Sequence, residues 1–473
     1  MGGERSGRRV RLIGPVRRVL SAQVPRAGAL AGAIRVGGRL VAFGLQILLA
    51  RVIVDQVEFG IYAWGQNLLF LLGALFALGI PMAASRLIAV HADRRNRQAE
   101  QSVVGRACLL LAAISVGLTA VGLAVLWLLP DDQLTGIPRG IAYTAVAAAP
   151  LVSFTMLYQA IARARLRLVA AFAPTQILRP AFTGLLAVML VLATHDQLTG
   201  QQALAAVVGS LLAVLLIQLL VNGVRTSIDA SKGEDDASRG PDIAEDREPD
   251  QDEYAPDRLM ANAVPIFATR VSDLVIKHSG VLVLGLAAGP ALVGEFFVAE
   301  RLAQLAALPA LVVGAVIQPW LASAHAAGDH AQLQRVVTQA VHTTLWPSLT
   351  AAVVIQAAAG VLLGLFGSGF VEAAPLLSVL MLAHVAAALL GPNSQILVMS
   401  GYAALAMRIW ATAALLHVLL LAVLVPQFAA MGAAGALLAT TVIANAASLW
   451  AVRTRLGLRS SLLLGPLRPG SVT

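Results

Sequence analysis

Apolar runs about 20 or more residues long alternate with short polar gaps along most of the chain. A 19-residue hydropathy window places six of them at 27–53, 60–84, 103–129, 137–160, 168–193 and 202–223. Six more follow at 259–288, 294–322, 339–366, 372–400, 403–425 and 429–452. A helix rising 1.5 Å per residue crosses about 30 Å of hydrocarbon in about 20 residues, whereas a barrel would show short alternating segments. The pattern therefore predicts an all-α polytopic membrane protein with twelve transmembrane helices. Between the two sets, residues 224–257 are polar and acidic, with the run Glu234, Asp235, Asp236, and read as a disordered cytoplasmic linker whose acids serve solvation. The expected organisation is a basic segment 1–26, a first lobe 27–223, the linker 224–257, a second lobe 258–452 and a tail 453–473.

The two halves read as copies. A shift of about 234 positions lays Gly60 on Gly294, Tyr62 on Phe296, His91 on His325 and Gln98 on Gln332. One residue off that shift, Arg35-Val36 falls on Arg270-Val271. Six spans per half return the chain to the side it started from, so the copies share one orientation, as parallel repeats do about an axis along the membrane normal. A binding site is expected between them.

Composition agrees with a membrane chain: 58% of the residues are hydrophobic and 12% charged, at a mean hydropathy of +0.79. Soluble domains carry about 25% charged residues. The formal charge of +9 does not call for nucleic acid, because the arginines collect in alternate gaps. One set of gaps holds Arg94, Arg95, Arg97, Arg106, Arg163, Arg165, Arg167, Arg335, Arg408, Arg453, Arg455 and Arg459. The other holds Asp55, Glu58, Asp131, Asp132, Asp196 and Glu372, with Arg51 and Arg139 at its margins. The positive-inside rule then puts both termini in the cytoplasm. The apolar stretch after the basic N-terminus is too long for a signal-peptide core and reads as an uncleaved first span. Cys108 is the single cysteine, which excludes an intrachain disulfide and a cysteine zinc site.

Chemistry enters where span length forces polar side chains into the membrane. Residues 40–54 are too few to cross, so the first span recruits Arg35 and Arg39, one helical turn apart on one face. By the same reasoning the seventh span draws in Arg270, Asp273, Lys277 and His278, with Asp273 and Lys277 placed to pair. The eighth adds Glu300, Arg301 and Gln304. An ionised group at the bilayer centre costs about 2.5–3.5 kcal/mol on insertion scales, so such groups face a bundle interior or a wet cavity. The plainer reading has Arg35 snorkelling to the interface and Arg270 merely paired with Asp273. Gln66, Asn67, Gln176, Arg179, His384, Asn393, Gln395 and His417 are further intramembrane polar residues, of a kind that more often bridges helices than binds a ligand. Arg35, Arg39, Arg270, Lys277 and Arg301 together predict a cationic cavity suited to a polyanion such as a phosphate or pyrophosphate. Asp273 and Glu300 are the candidates for ion coupling. No cofactor, resident metal or assembled catalytic constellation is expected.

Ala50-Arg51, Val57-Glu58-Phe59-Gly60-Ile61-Tyr62, Gly79-Ile80 and Arg86 resemble the opening signature of the polysaccharide transporter branch of the multidrug/oligosaccharidyl-lipid/polysaccharide exporter superfamily. Val293-Gly294 through Ala299, Arg301, Pro319, Gly328-Asp329, Phe366-Gly367 and Gly432-Ala433-Ala434-Gly435-Ala436 extend the resemblance through the second half. It implies a V-shaped, MATE-like architecture of two six-helix lobes in the bacterial inner membrane, opening alternately to each side. It also implies a flippase that carries undecaprenyl-pyrophosphate-linked oligosaccharide units outward for exopolysaccharide, capsule or O-antigen synthesis, working beside a polysaccharide polymerase and export machinery. In the similar lipid II flippases, arginines of the first helix and second lobe line the cavity, a role the resemblance offers to Arg35, Arg39, Arg270 and Arg301. Two departures count against a peptidoglycan precursor: twelve spans instead of fourteen, and His417 where many relatives place asparagine. The alternatives are a cation-coupled multidrug exporter, which usually needs an acid in the first helix, and a membrane polymerase or glycosyltransferase, which would keep a large outer loop. The first helix has no acid before Asp55, and all outer gaps are short.

Overall fold

The computed structural model describes residues 14–93, 97–128, 136–237, 256–326, 329–458 and 460–461. Among them the structure is helical apart from turns and one isolated bridge between Ile53 and Leu198. The first half comprises α1 (Gly14–Val52), α2 (Gln56–Phe76), α3 (Ile80–Asp93), α4 (Arg97–Leu128), α5 (Arg139–Ala164), α6 (Leu168–Ala173), α7 (Arg179–Thr194) and α8 (Gly200–Ala237). The second comprises α9 (Pro256–Ala288), α10 (Pro290–Ala303), α11 (Leu308–Ala326), α12 (His330–Ala357), α13 (Ala359–Gly364), α14 (Ala374–Leu390), α15 (Asn393–Met399) and α16 (Ala403–Leu456).

Ten helical stretches among the described residues are long and apolar enough to cross a membrane. One of them is the 54-residue α16, whose backbone leaves helical geometry at Ala429 (φ 47°, ψ −125°), just beyond Pro426. A Cβ on Gly432 would overlap the carbonyl oxygen of Leu424. In a straight helix those residues would be about 12 Å apart, so the chain doubles back here into two antiparallel arms. This is where the hydropathy pattern ends one span and begins the next. Helix α12 is the counterpart of the span expected at 339–366. It begins earlier, carries His330, Gln332, Gln334, Arg335 and His342 in its first half, and is less apolar than the ten.

Other expected boundaries shift. The span at 60–84 is interrupted between α2 and α3, where Leu78 (φ 41°) and Gly79 (φ 77°) take left-handed backbone. The span at 372–400 breaks at Gly391-Pro392, because proline cannot continue the hydrogen-bond ladder. Helix α8 runs on to Ala237 and α9 begins at Pro256, so the backbone is helical over part of the stretch read as a disordered linker. Helix α1 likewise starts inside the basic N-terminal segment. Residues 238–255, with Arg94, Arg95, Asp131, Asp132, Arg459 and most of the C-terminal tail, lie outside the described residues.

Large apolar side chains remain exposed around the outside, including Leu109 (74%), Trp127 (75%), Val361 (73%) and Trp450 (69%). Such a surface suits lipid rather than water.

The repeat is visible in the helix starts: Gln56 pairs with Pro290, Arg97 with His330, Arg139 with Ala374 and Leu168 with Ala403, each pair about 234 positions apart. The two copies meet where α2 crosses α10. A Cβ on Gly60 would overlap the Pro290 carbonyl, and one on Gly294 would lie 3.1 Å from the Gln56 carbonyl. Gly60 and Gln56 correspond to Gly294 and Pro290 under the repeat, so each half presents the same pair of positions to the other. That reciprocity is the mark of a two-fold axis.

This crossing belongs to a seal at one end of the molecule. Phe59 packs edge-on against Phe297 and Phe370 at centroid distances of 6.1 and 5.5 Å, and Phe43 against Phe366 at 5.7 Å. Gln56 Nε2 donates to Glu295 Oε1 at 3.1 Å. Arg51, at the end of α1, donates through Nε and Nη2 to the carbonyls of Leu365 and Gly364, both at 2.7 Å, and so caps α13 across the halves. The acids of this end have structural duties. Asp55 caps α2 by accepting from the Glu58 amide at 2.8 Å, and Glu58 accepts from the Gly200 amide at 2.6 Å. Replacing Arg51 by alanine is expected to weaken the seal by about 1.4 kcal/mol after discounting for exposure, a tenfold loss of the closed population. The check is faster modification by an impermeant maleimide of a cysteine replacing buried Ala63, on a Cys108→Ser background.

Candidate functional site

Below the seal, the charged residues singled out from the sequence face one another across the two halves. Counted at 1.5 Å per residue from the sealed end of each helix, Lys277 and Arg301 lie about 16 Å in and Arg39 about 20 Å in. Arg35 and Arg270 lie about 26 Å in. In a hydrocarbon layer of about 30 Å this makes two tiers, one near the middle and one near the end opposite the seal.

The middle tier is built around one amide. Gln304 opens a short 3-10 turn, Gln304–Ala307, that links α10 to α11. Its Oε1 accepts from Arg39 Nη1 of the first half at 3.4 Å and from Arg301 Nη1 at 3.2 Å. Its Nε2 donates to Glu300 Oε1 at 3.1 Å. Arg39 is exposed, yet it reaches the opposite half, so the space it faces lies between the halves and not toward lipid. The Arg301 guanidinium lies 4.5 Å from the Phe297 ring centroid, and its Nε is buried with no hydrogen-bond partner. Glu300 is 5% exposed and sits within charge range of Arg301 and Lys277.

Lys277 forms the expected pair with Asp273, Nζ to Oδ2 at 2.7 Å, on side chains 55% and 31% exposed. Lys277 and Arg39 both bear electrostatically on His384, whose Nε2 is buried without a partner.

At the mouth, Arg35 stacks over Phe172 at 4.6 Å and lies within charge range of Arg270, its repeat partner. Arg163 joins this pair from the end of α5. Arg270 is exposed beside like charges, so pairing with Asp273 does not describe it: that carboxylate is taken by Lys277.

Arg179, held from the sequence only as a helix-bridging residue, belongs with the middle tier. It follows a π-helical turn, Pro174–Leu178, stacks over Phe70 at 4.6 Å, and lies within charge range of Arg301 and Tyr62. The irregular turn aims it inward, and hydropathy carries no trace of that. Arg163 is the other cation missed, because its place in an arginine-rich gap made it look purely topological.

The remaining polar residues make local bonds, contacts between helices, or packing contacts. Gln66 Nε2 donates to the Tyr62 hydroxyl at 2.6 Å, and Gln46 Nε2 to the same oxygen at 3.4 Å. His278 Nδ1 and Asn67 Oδ1 meet across the halves at 2.7 Å. Asn393 bonds the Leu390 carbonyl at 2.6 Å and also Ser460, while His417 Nδ1 meets Thr440 Oγ1 at 3.1 Å. Gln176 packs against Gly38, and Gln395 against Gly314. Among the described residues, no cluster of three His, Cys, Asp or Glu is placed to hold a metal ion.

A separate apolar cavity of about 540 Å3 opens between α3, α4 and Phe267 of α9. It is lined by Leu78, Leu87, Val103, Leu110 and Ile114, with Arg106 at its edge. Phe267 is one helical turn from Arg270, so this cavity lies beside that cation.

The chain matches a family model described as polysaccharide biosynthesis protein over residues 28–325. No curated protein sequence matches it. Among solved structures it is similar to the inward-facing conformation of a multidrug resistance MATE family transporter of the MOP superfamily, with 13% identity over 90% of this chain and 98% of that one, at a TM-score of 0.69. An outward-facing conformation of such a transporter gives 15% identity over 90% and 95%, at a TM-score of 0.57. The lipid II flippase MurJ in an inward closed conformation gives 14% identity over 90% and 87%, at 0.64. These likenesses establish a MATE-like multi-pass helical fold.

Proposed function

Because the chain belongs to the polysaccharide biosynthesis protein family, we propose that this membrane transporter is a flippase for polyprenyl-pyrophosphate-linked oligosaccharides, carrying them from the cytoplasmic to the outer leaflet by alternating access. The observation that carries the reading is the convergence of Arg39 and Arg301, from opposite halves, on a single neutral oxygen. Two guanidiniums that share one amide oxygen, neither of them in an ion pair with a carboxylate among the described residues, suit an oxyanion with several oxygens, which each can meet through parallel N–H donors.

The sealed end faces outward in this reading, since the arginine-rich gaps and both termini lie at the other. The pyrophosphate enters past Arg35, Arg163 and Arg270 and settles between Arg39, Arg301 and Arg179. The sugars occupy the wet chamber, and the prenyl chain leaves through the α3–α4–Phe267 cavity into lipid. The halves then rock about the α2–α10 crossing. With the cytoplasm negative, outward movement of each negative charge gains about 2.3 kcal/mol per 100 mV, so the membrane potential favours export. Glu300 and Asp273 are the carboxylates available for a coupled cation, each already held by a neighbour. An exporter of organic cations is disfavoured by the same inventory, because the chamber would repel its cargo. Exopolysaccharide, capsule or O-antigen assembly in a bacterial inner membrane is the setting proposed, with polymerase and export machinery downstream.

The test is reconstitution of the purified protein in liposomes carrying a polyprenyl-pyrophosphate oligosaccharide, with translocation followed by exposure of the sugar to an external glycosidase. Protein-dependent exposure faster by at least tenfold is expected, and none at equal reconstitution overturns the reading. Filling the lateral cavity with Leu110→Trp is expected to slow translocation several-fold while leaving inorganic pyrophosphate binding unchanged; equal losses in both would remove the cavity from the path.

A further inference from the structure

Between Arg39 and Arg301 the space an anion would take is occupied by the protein itself. The Gln304 amide is oriented by chemistry: flipped, it would turn its NH2 toward two guanidiniums and its oxygen toward the Glu300 carboxylate, leaving all three contacts repulsive. As placed, Oε1 sits 3.4 and 3.2 Å from the two cations while Nε2 is anchored 3.1 Å away on Glu300. Gln304 leads the 3-10 turn that breaks α10 from α11, so its side chain springs from a backbone that can adjust without unwinding a long helix. Arg301 has an unpartnered buried Nε beside this bond, which leaves its donor capacity unfilled even with Gln304 in place.

We propose that Gln304 is a stand-in for the substrate's phosphoryl oxygen: it gives the two guanidiniums a shared acceptor, bridges the two halves, and is displaced when the anion arrives. The inference rests on the reading of the chamber as an anion site. A neutral amide oxygen is a weaker partner for guanidinium than a phosphate oxygen, so it yields to the ligand. It nevertheless competes, and it holds Arg39 and Arg301 within reach of one acceptor before the ligand binds. Gln304 is thus a positioning residue. It sets how tightly the anion is gripped and how readily it is let go.

This role predicts a gain of affinity on losing a polar contact. Purified full-length protein in lipid nanodiscs, titrated with inorganic pyrophosphate by calorimetry, should bind about three- to tenfold tighter after Gln304→Ala, because the internal competitor is gone. It should bind at least tenfold more weakly after Gln304→Glu, where a carboxylate would occupy the same place permanently. Affinity unchanged or weakened in Gln304→Ala overturns the stand-in, while wild-type binding abolished by Arg301→Ala keeps the anion site itself standing. If wild-type protein binds no pyrophosphate, the chamber reading fails, and a ligand-free measurement still decides the bridge. Spin labels at Val57 and Val371, on opposite halves near the seal, should then show a broadened, longer distance distribution in Gln304→Ala, and an unchanged distribution removes Gln304 from any cross-half role.

Discussion

Arg301→Ala is expected to lower pyrophosphate affinity by about 10- to 100-fold and to abolish complementation of a strain lacking the gene, with lipid-linked intermediates accumulating at normal protein levels. The size follows from removing one buried charge-assisted bond to a polyanion, worth about 1.5–3 kcal/mol. Arg39→Ala should lose nearly as much, because the two guanidiniums grip one ligand from opposite halves and neither alone closes the contact. Arg301→Lys keeps the charge but gives up both the planar fork and the stacking on Phe297, and is expected to recover only part of the affinity. Arg455→Ala, at the end of α16 outside the chamber, should leave binding unchanged. Full complementation by both Arg39→Ala and Arg301→Ala would end the assignment of the chamber to substrate.

The second large effect is expected at the crossing of the halves. Gly60→Val should eliminate transport while the protein still inserts and accumulates, because any Cβ at this position strikes the Pro290 carbonyl. Helix α2 must then stand off from α10, the phenylalanine cluster parts, and the state closed at this end is lost. Gly294→Val should act in the same direction with a smaller effect, since its added carbon would meet the Gln56 carbonyl at 3.1 Å, a distance a small shift relieves. A cysteine at Ala63 reports both. Labelling should become rapid in Gly60→Val and intermediate in Gly294→Val, and labelling as slow as wild type would mean that the crossing is not the gate.

Much of the architecture was legible from hydropathy and the repeat. Span length drew Arg35, Arg39, Arg270 and Lys277 into the expected first and seventh spans, since a crossing helix has no other way to be long enough, and Arg301 fell within the eighth. The duplication pointed to Gly60 and Gly294 as equivalent positions, and the structure makes them neighbours. Partnership was not legible. Lys277 met Asp273 as helical spacing predicts, whereas the bonds of Gln304 to Arg39 and of His278 to Asn67 join residues far apart in sequence. Arg179 was visible as an intramembrane polar residue but not as a neighbour of Arg301, because a π-helical turn changes its facing by an amount regular periodicity cannot register. The left-handed residues Leu78 and Gly79 were equally silent: an apolar run reads the same whether its helix is continuous or interrupted.

The five phenylalanines at the sealed end, Phe43, Phe59, Phe297, Phe366 and Phe370, bear on the cell's energy supply as well as on the closure between the halves. Carrying a bare ion through so oily a plug faces an idealised Born barrier on the order of 20 kcal/mol. Water reaching the seal from one side can therefore stand there without letting protons or sodium run down across the bilayer, and idle copies of the protein do not drain the cell's gradients.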